Sequence, residues 1–319
     1  MMYLLVLGGF VLLFGGGELL VRGAVAVSRR FGLSPLLIGM TVVAWCTSAP
    51  ELVVSMGAAL EGRSDIAIGN VVGSNIFNVL GVLGAAALIA PIFVRPNELR
   101  RDSAVMIIAS VAVAAVSLTG EIGRVAGIVF TAGIVLYVYL SYRAELKAPD
   151  SPEAELHVDE AAEIEAPQSM WVGIGYFVGG LAALVVGSRL LIVGATDIAR
   201  TLGVSEAVIG LTLVAVGTSL PELATSVVAA IRKHSDVAVG NAVGSNIFNL
   251  FGILGITSIV RPIGVAEQIA RLDVWVMLAV AIAAAALLLW RGRLGRVAGS
   301  VFLAVYVAYV VVLYTGVAA

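Results

Sequence analysis

The sequence is poor in what a soluble enzyme needs. Charged residues fill only 13% of its 319 positions, about half the share of an ordinary soluble domain. A single cysteine, Cys46, excludes an intrachain disulfide and says nothing about redox compartment. Two histidines, His157 and His234, fall in polar stretches and suit neither a buried proton relay nor a zinc site. No H-E-x-x-H, G-x-S-x-G or P-loop pattern occurs, and no pair of aspartates within apolar runs suggests an aspartyl protease. With a net charge of −2 and no basic patch, nucleic acid is an unsuitable partner. Neither an enzyme activity nor a cofactor is signalled, and no segment marks an obligate protein partner.

What is present is apolar surface. Hydrophobic residues make up 60% of the chain and the mean hydropathy is +1.06. Runs long enough to cross a bilayer, about 20 helical residues, recur along nearly its whole length. They are continuous rather than alternating, which predicts an all-α integral membrane protein and not a barrel. Ten spans are expected, near 3–22, 34–60, 66–90, 103–119, 124–142, 170–192, 205–231, 236–260, 272–290 and 296–315. The first has no basic leader or convincing cleavage site and reads as a retained span.

Between the fifth and sixth runs lies a polar segment, 144–169, with Glu153, Glu155, Asp159, Glu160, Glu163 and Glu165. It reads as a flexible acidic linker separating residues 1–143 from residues 170–319. Basic residues set an orientation. Arg22, Arg29, Arg30, Arg95, Arg100, Arg101, Arg143, Lys147, Arg232, Lys233, Arg291, Arg293 and Arg296 fall in loops on one side. Only Arg63, Arg124, Arg200, Arg261 and Arg271 fall on the other. The positive-inside rule puts the linker in the cytoplasm and both termini outside, as expected for a multi-pass protein of the plasma membrane.

The halves repeat one another. Residues 39–84 align without gaps on 210–255 at a constant offset of 171, and 27 of the 46 positions are identical. Five spans per half is an odd number, so the second copy enters the membrane from the opposite face. Two inverted five-helix repeats with interrupted helices are a mark of secondary transporters, whose substrate sites sit at the midplane between the halves.

Within each copy, two segments are polar where lipid would forbid it. One is Thr47-Ser48-Ala49-Pro50-Glu51, mirrored by Thr218-Ser219-Leu220-Pro221-Glu222; the other is Gly69 to Asn78, mirrored by Gly240 to Asn249. A carboxylate inside a span costs at least a few kcal/mol unless it faces a cavity or a partner. Glu51 and Glu222 are equivalent, and no basic residue in these motifs answers either. A cation is the simplest counter-charge. Pro50 and Pro221 lack an N–H, so the carbonyls of Cys46 and Gly217 lose their helical donors. Those carbonyls, the hydroxyls of Thr47, Ser48, Thr218 and Ser219, and two carboxylates form an all-oxygen set suited to Ca2+ or Na+. A kink needed only for packing is the plainer reading of the prolines, but it leaves unexplained why the acid follows in both halves.

Ser74 and Asn78, like Ser245 and Asn249, are four apart and share a helix face, which would complete the cage. Asn75 and Asn246 point elsewhere, bonding broken-helix backbone. Gly69, Gly73, Gly240 and Gly244 read equally well as close-packing residues. Glu18 and Arg189, equivalent in spans one and six, read as a structural pair or as snorkelling side chains.

At these residues the sequence resembles the cation/Ca2+ exchanger superfamily, and within it the prokaryotic Na+/Ca2+ exchangers. The match lies in Gly39-Met40-Thr41 through Glu51, Gly69 to Asn78, and their copies. The resemblance implies an ion-binding core of spans two, three, seven and eight, with spans one and six sliding across it. It implies Ca2+ and Na+ ligands at the Ala44 carbonyl, Thr47, Ser48, Glu51, Ser74 and Asn78, and at the Ala215 carbonyl, Thr218, Ser219, Glu222, Ser245 and Asn249. Some relatives, K+-dependent ones included, carry aspartate where this chain has Asn249, so two formal charges and not three are expected. The Gly-Asn-Ala-Thr-Glu run common in proton-coupled relatives is absent. The expectation is therefore Ca2+/Na+ antiport by alternating access, with Ca2+/H+ (or other divalent cation/H+) antiport through the same glutamates as the alternative.

Overall fold

The computed structural model describes residues 1–38, 42, 44–94, 96–147, 158–159, 161–231 and 235–315. The expectations placed on Gly39, Met40, Thr41, Arg95, Glu153, Glu155, His157, Glu160, Arg232, Lys233 and His234 lie outside the described residues. The architecture is helical. In chain order the helices are α1 (Met2–Arg30), α2 (Pro35–Leu37), α3 (Ala44–Thr47), α4 (Ala49–Leu60), α5 (Ser64–Ile89) and α6 (Pro96–Ser117). Then come α7 (Arg124–Glu145), α8 (Met170–Leu202), α9 (Glu206–Thr218), α10 (Leu220–Ile231) and α11 (Ser235–Ile247, carried on by Phe248–Ile253 and Leu254–Val260). Helices α12 (Ile269–Arg291) and α13 (Arg296–Thr315) complete the described chain.

Among the described residues, α1, α5, α7, α8, α11, α12 and α13 are long and apolar enough to cross a membrane, and the pair α9–α10 makes an eighth. That is fewer than the ten expected. The run near 34–60 is split into α2, α3 and α4, with α4 only 12 residues long. The run near 103–119 lies in α6, whose first turns carry Arg100, Arg101 and Asp102.

Burial separates the helices by role. In α5 and α11, 83% and 72% of the apolar window is buried, against 22% in α7 and α13. The polar helices thus sit at the centre, and apolar side chains such as Val129, Val135, Val301 and Val307 face outward, where lipid replaces a protein neighbour. Helices α1 and α8 pack along their length as an antiparallel pair. Gly9, Gly16 and Gly23 on α1, seven residues apart, meet Gly187, Gly180 and Gly173 on α8 in reverse order, and a Cβ at Gly180 would lie 2.6 Å from the Gly16 carbonyl. Backbone-to-backbone approach of this kind needs small residues at the contact.

Two short antiparallel ladders tie the halves together. Strand β1 (Ile92–Phe93) pairs with β4 (Arg293–Leu294), and β2 (Glu121–Ile122) pairs with β3 (Ile263–Gly264). The described end of the acidic segment is docked and not free. Arg29 donates hydrogen bonds to the carbonyls of Ala161 and Ile164, and Ala161 is buried. Glu18 pairs at 2.6 Å with Arg22, one helical turn along α1, and not with Arg189.

Candidate cation site

The two interrupted segments adopt the same local form. Ser48 (φ −87°, ψ 8°) and Ser219 (φ −90°, ψ 11°) leave the helical path in near-identical conformations, and the axis bends by 48° between α9 and α10. Pro50 stands in the first turn of α4, where its missing N–H costs nothing. Each break sets a helix C-terminus, ending at Thr47 or Thr218, against a helix N-terminus bearing Glu51 or Glu222. The former offers carbonyls and the latter a carboxylate, a pairing that favours a bound cation between them.

Both carboxylates are inside the protein. Glu51 is 1% exposed and Glu222 3%, and charge on Glu222 disfavours charge on Glu51. Contacts cross between the halves. Ser219 Oγ donates to Glu51 Oε1 at 3.3 Å, and Ser74 Oγ donates to the Ala215 carbonyl at 3.4 Å. Thr218 Oγ1 donates across to Asn70 Oδ1 at 3.0 Å and, within its own half, to the Ala215 carbonyl at 3.3 Å.

Four oxygens there have no donor. Glu51 Oε2, Glu222 Oε2, Asn78 Oδ1 and Asn249 Oδ1 are buried without a hydrogen-bond partner. Buried acceptors are rarely left so, and these belong to two pairs of equivalent residues. A hard cation satisfies such an oxygen set, so the residues present fit Ca2+ or Na+ as cargo. Asn78 begins a wide π-turn (Asn78–Leu83), and Asn249 lies in its counterpart (Phe248–Ile253); such turns occur often at functional sites.

The predicted residues are not all placed alike. Ser48, Glu51, Ser74, Asn78, Thr218, Ser219, Glu222 and Asn249 are buried, and Ser245 is half-buried on α11. Thr47 is exposed, although its equivalent Thr218 is fully buried. Ala44 opens the short helix α3. The Ala215 carbonyl already accepts from Ser74 and Thr218 and from the Ser219 amide. The asymmetry has a neighbour on each side. A cleft of about 470 Å3 is lined by Ala24, Ser28, Trp45, Phe177 and Cys46, the residue before Thr47. In the other half the Phe10 ring sits hard against Gly217.

Sequence reasoning missed the groups that hold the carboxylates' helices. Asn70 Nδ2 donates to the Glu51 carbonyl at 3.3 Å and to Ser55 Oγ at 2.9 Å; Asn241 Nδ2 does the same to the Glu222 carbonyl at 3.1 Å and to Ser226 Oγ at 2.9 Å. Identity in both halves was the only signal they gave. Asn246 bonds backbone as expected but also meets the Asn78 side chain. It accepts from Asn78 Nδ2 at 3.1 Å and donates to the Asn75 carbonyl at 3.3 Å, so it touches the site and orients the Asn78 amide. Asn75 bonds the Val71 carbonyl of its own helix at 2.7 Å, not a broken one.

Nearly the whole chain is matched by known proteins. The family model for the sodium/calcium exchanger protein covers residues 1–143 and 172–315. The chain belongs to the sodium/calcium exchanger family. Its relatives include the putative antiporter CaxA of Alkalimonas amylolytica, 38% identical over 97% of this chain and 98% of that one. The sodium/calcium exchanger MaX1 of Methanosarcina acetivorans is 32% identical over 98% of each. Among solved structures, the sodium-calcium exchanger NCX_Mj soaked with Na+ and Sr2+ superposes with a TM-score of 0.63 at 32% identity, over 97% of both chains. This exchanger-family chain is therefore a multi-pass membrane transporter.

Proposed function

We propose that the protein is a secondary active antiporter that exchanges Ca2+ for Na+ by alternating access, at a midplane site built around Glu51 and Glu222. The observation that carries this reading is the set of four buried, unpartnered oxygens on Glu51, Glu222, Asn78 and Asn249. Thr47, Ser48, Ser74, Thr218, Ser219, Ser245 and the carbonyls of Ala44 and Ala215 complete the ligand set in this reading. Ca2+ neutralises the two carboxylates, and Na+ ions in neighbouring oxygen sites displace it. Without either, charge on the two buried carboxyls is costly, by desolvation and by mutual repulsion in low dielectric. Closing over an empty site is then costly, which enforces exchange instead of leak.

Ten spans in two inverted repeats, residues 1–143 and 170–319 about an acidic linker at 144–169, belong to the same proposal. It is supported by the antiparallel α1–α8 pair and by ladders in which each half supplies one strand to each pairing. With the linker in the cytoplasm of a plasma-membrane protein, the cleft at Ala24, Ser28 and Cys46 opens inward, and Phe10 on Gly217 closes the outer side. Sliding of α1 and α8 would exchange those roles.

The test is uptake of radioactive Ca2+ into Na+-loaded proteoliposomes at clamped pH. Uptake is expected with the outward Na+ gradient and not when that gradient is collapsed. Uptake indifferent to Na+ but driven by a pH gradient in Na+-free buffer would overturn Na+ coupling in favour of the Ca2+/H+ alternative.

A further inference from the structure

One buried acid has no place in the exchange site. Asp273, at the end of the π-turn Ile269–Asp273 of α12, is 0% exposed. Tyr309 Oη of α13 donates to its Oδ1 at 2.8 Å, and Gln268 Nε2 donates to its Oδ2 at 3.4 Å. No cation answers it among the described residues. Arg271, two positions away, pairs with Glu267 at 2.8 Å on the exposed face of the turn. Helix α6, packed along α12, carries no charged residue between Ser103 and Ser117. Helix α5 brings Asp65, whose electrostatic neighbour is Glu206. From α13 the titratable neighbours are tyrosines alone: Tyr309, then Tyr306 behind it.

The repeat shows what is missing. Asp102 of α6 is the equivalent acid at the offset of 171, and Tyr137, also hydrogen-bonded to it, precedes Tyr309 by 172. In the first half the preceding residue, Arg101, closes an ion pair with Asp102 at 2.8 Å. In the second half that position is Leu272. Acid and tyrosine are kept, and the cation is gone. Burial without a counter-charge favours the protonated carboxyl, and it opposes the two donors, which favour the ionised one.

We propose that Asp273 is a proton-binding site, resting on the reading of the chain as an exchanger only for its consequence on transport. Gln268, half-buried, gives the proton a way in from the Arg271 face. Helix α13 carries the effect inward, because Tyr314 Oη lies 3.1 Å from Thr212 Oγ1 in the π-turn of α9. As pH on the Arg271 face rises, Asp273 loses its proton, an unanswered charge appears under Tyr309, and the hold of α13 on the broken helix changes.

The experiment compares wild type, Asp273→Asn and Leu272→Arg by infrared difference spectroscopy of the whole protein across pH, with Ca2+ transport measured as a function of pH on each face. Wild type is expected to show the C=O stretch of a protonated carboxylic acid that fades as pH rises. Both variants are expected to lose it, the second because an adjacent arginine keeps the acid ionised. Transport should respond to pH on the Arg271 face in wild type and become flat there in both variants. A carboxylic band unchanged in Asp273→Asn, or a pH response unchanged in an active Leu272→Arg, would overturn the proposal. If Asp273→Asn does not fold, Leu272→Arg decides. Failure of all three proteins to move Ca2+ would refute the exchange reading and leave the infrared result to judge the proton site.

Discussion

Replacing Glu222 by glutamine should have opposite effects on the empty and the loaded protein. In the empty protein, Glu222 Oε2 and Glu51 Oε2 are buried without donors, and charge on one acid makes charge on the other costlier. An amide of the same size removes one charge and offers a donor to the other acid. Relieving one unsatisfied buried group is worth about 1–3 kcal/mol, so Glu222→Gln should unfold at a higher temperature than wild type in buffer free of Ca2+ and Na+. With Ca2+ the sign reverses. Removing one partner of a buried ion pair costs about 3–5 kcal/mol, hence roughly two to four decades in affinity. At a Ca2+ concentration about a hundred times the wild-type Kd, the wild type gains about 2.7 kcal/mol from binding, and the variant gains about 0.4 kcal/mol or less. The assay is thermal unfolding in detergent across a Ca2+ titration. A variant whose Tm rises with Ca2+ as steeply as the wild type's would refute the assignment of Glu222 to the site.

Gly73 and Gly244 are equivalent in the repeat, but Gly73→Ala would drive its Cβ into the Leu211 backbone, whereas nothing lies within 4 Å of a Cβ at Gly244. Overpacking against backbone costs about 1–3 kcal/mol or more, so Gly73→Ala should lower Tm or folded yield and Gly244→Ala should leave both unchanged. Asn70→Ala removes donors to the Glu51 carbonyl and Ser55 and the acceptor of Thr218; a loss of about 1–3 kcal/mol is expected, with weaker Ca2+ binding in the same titration. Gly217→Ala collides with the Phe10 ring, a movable side chain. Activity lost in Gly217→Ala should return in Gly217→Ala with Phe10→Ala, and failure of that rescue in proteoliposome uptake would remove Phe10 as the contact that matters.

Much of the candidate site was legible in the sequence, because symmetry reports on it twice. A carboxylate after a proline in an apolar run is costly, and its recurrence at a fixed offset marks Glu51 and Glu222 before any coordinates exist. The asparagines at 78 and 249 followed from helical spacing. Asn70 and Asn241 stayed hidden, since their partners are the Glu51 and Glu222 carbonyls, and no side-chain pattern announces a bond to backbone. Asn246 was read only in part, for a related reason. Spacing along one helix says which residues share a face, not what the opposite half places against the others.

The sequence by itself determined a membrane-embedded helical chain, duplicated in its central segments, with one acid after a proline in each copy. Those conclusions rest on composition, period and offset, which are local or self-referential quantities. Only the tertiary structure decided how the copies differ. Identical motifs leave Thr47 exposed and Thr218 buried, and crowd Gly73 and not Gly244. The reason is physical: each copy packs against a partner that is not its own mirror image. Contacts between the halves, set by Phe10, Leu211 and the α1–α8 pair, break a symmetry that the motifs alone would keep.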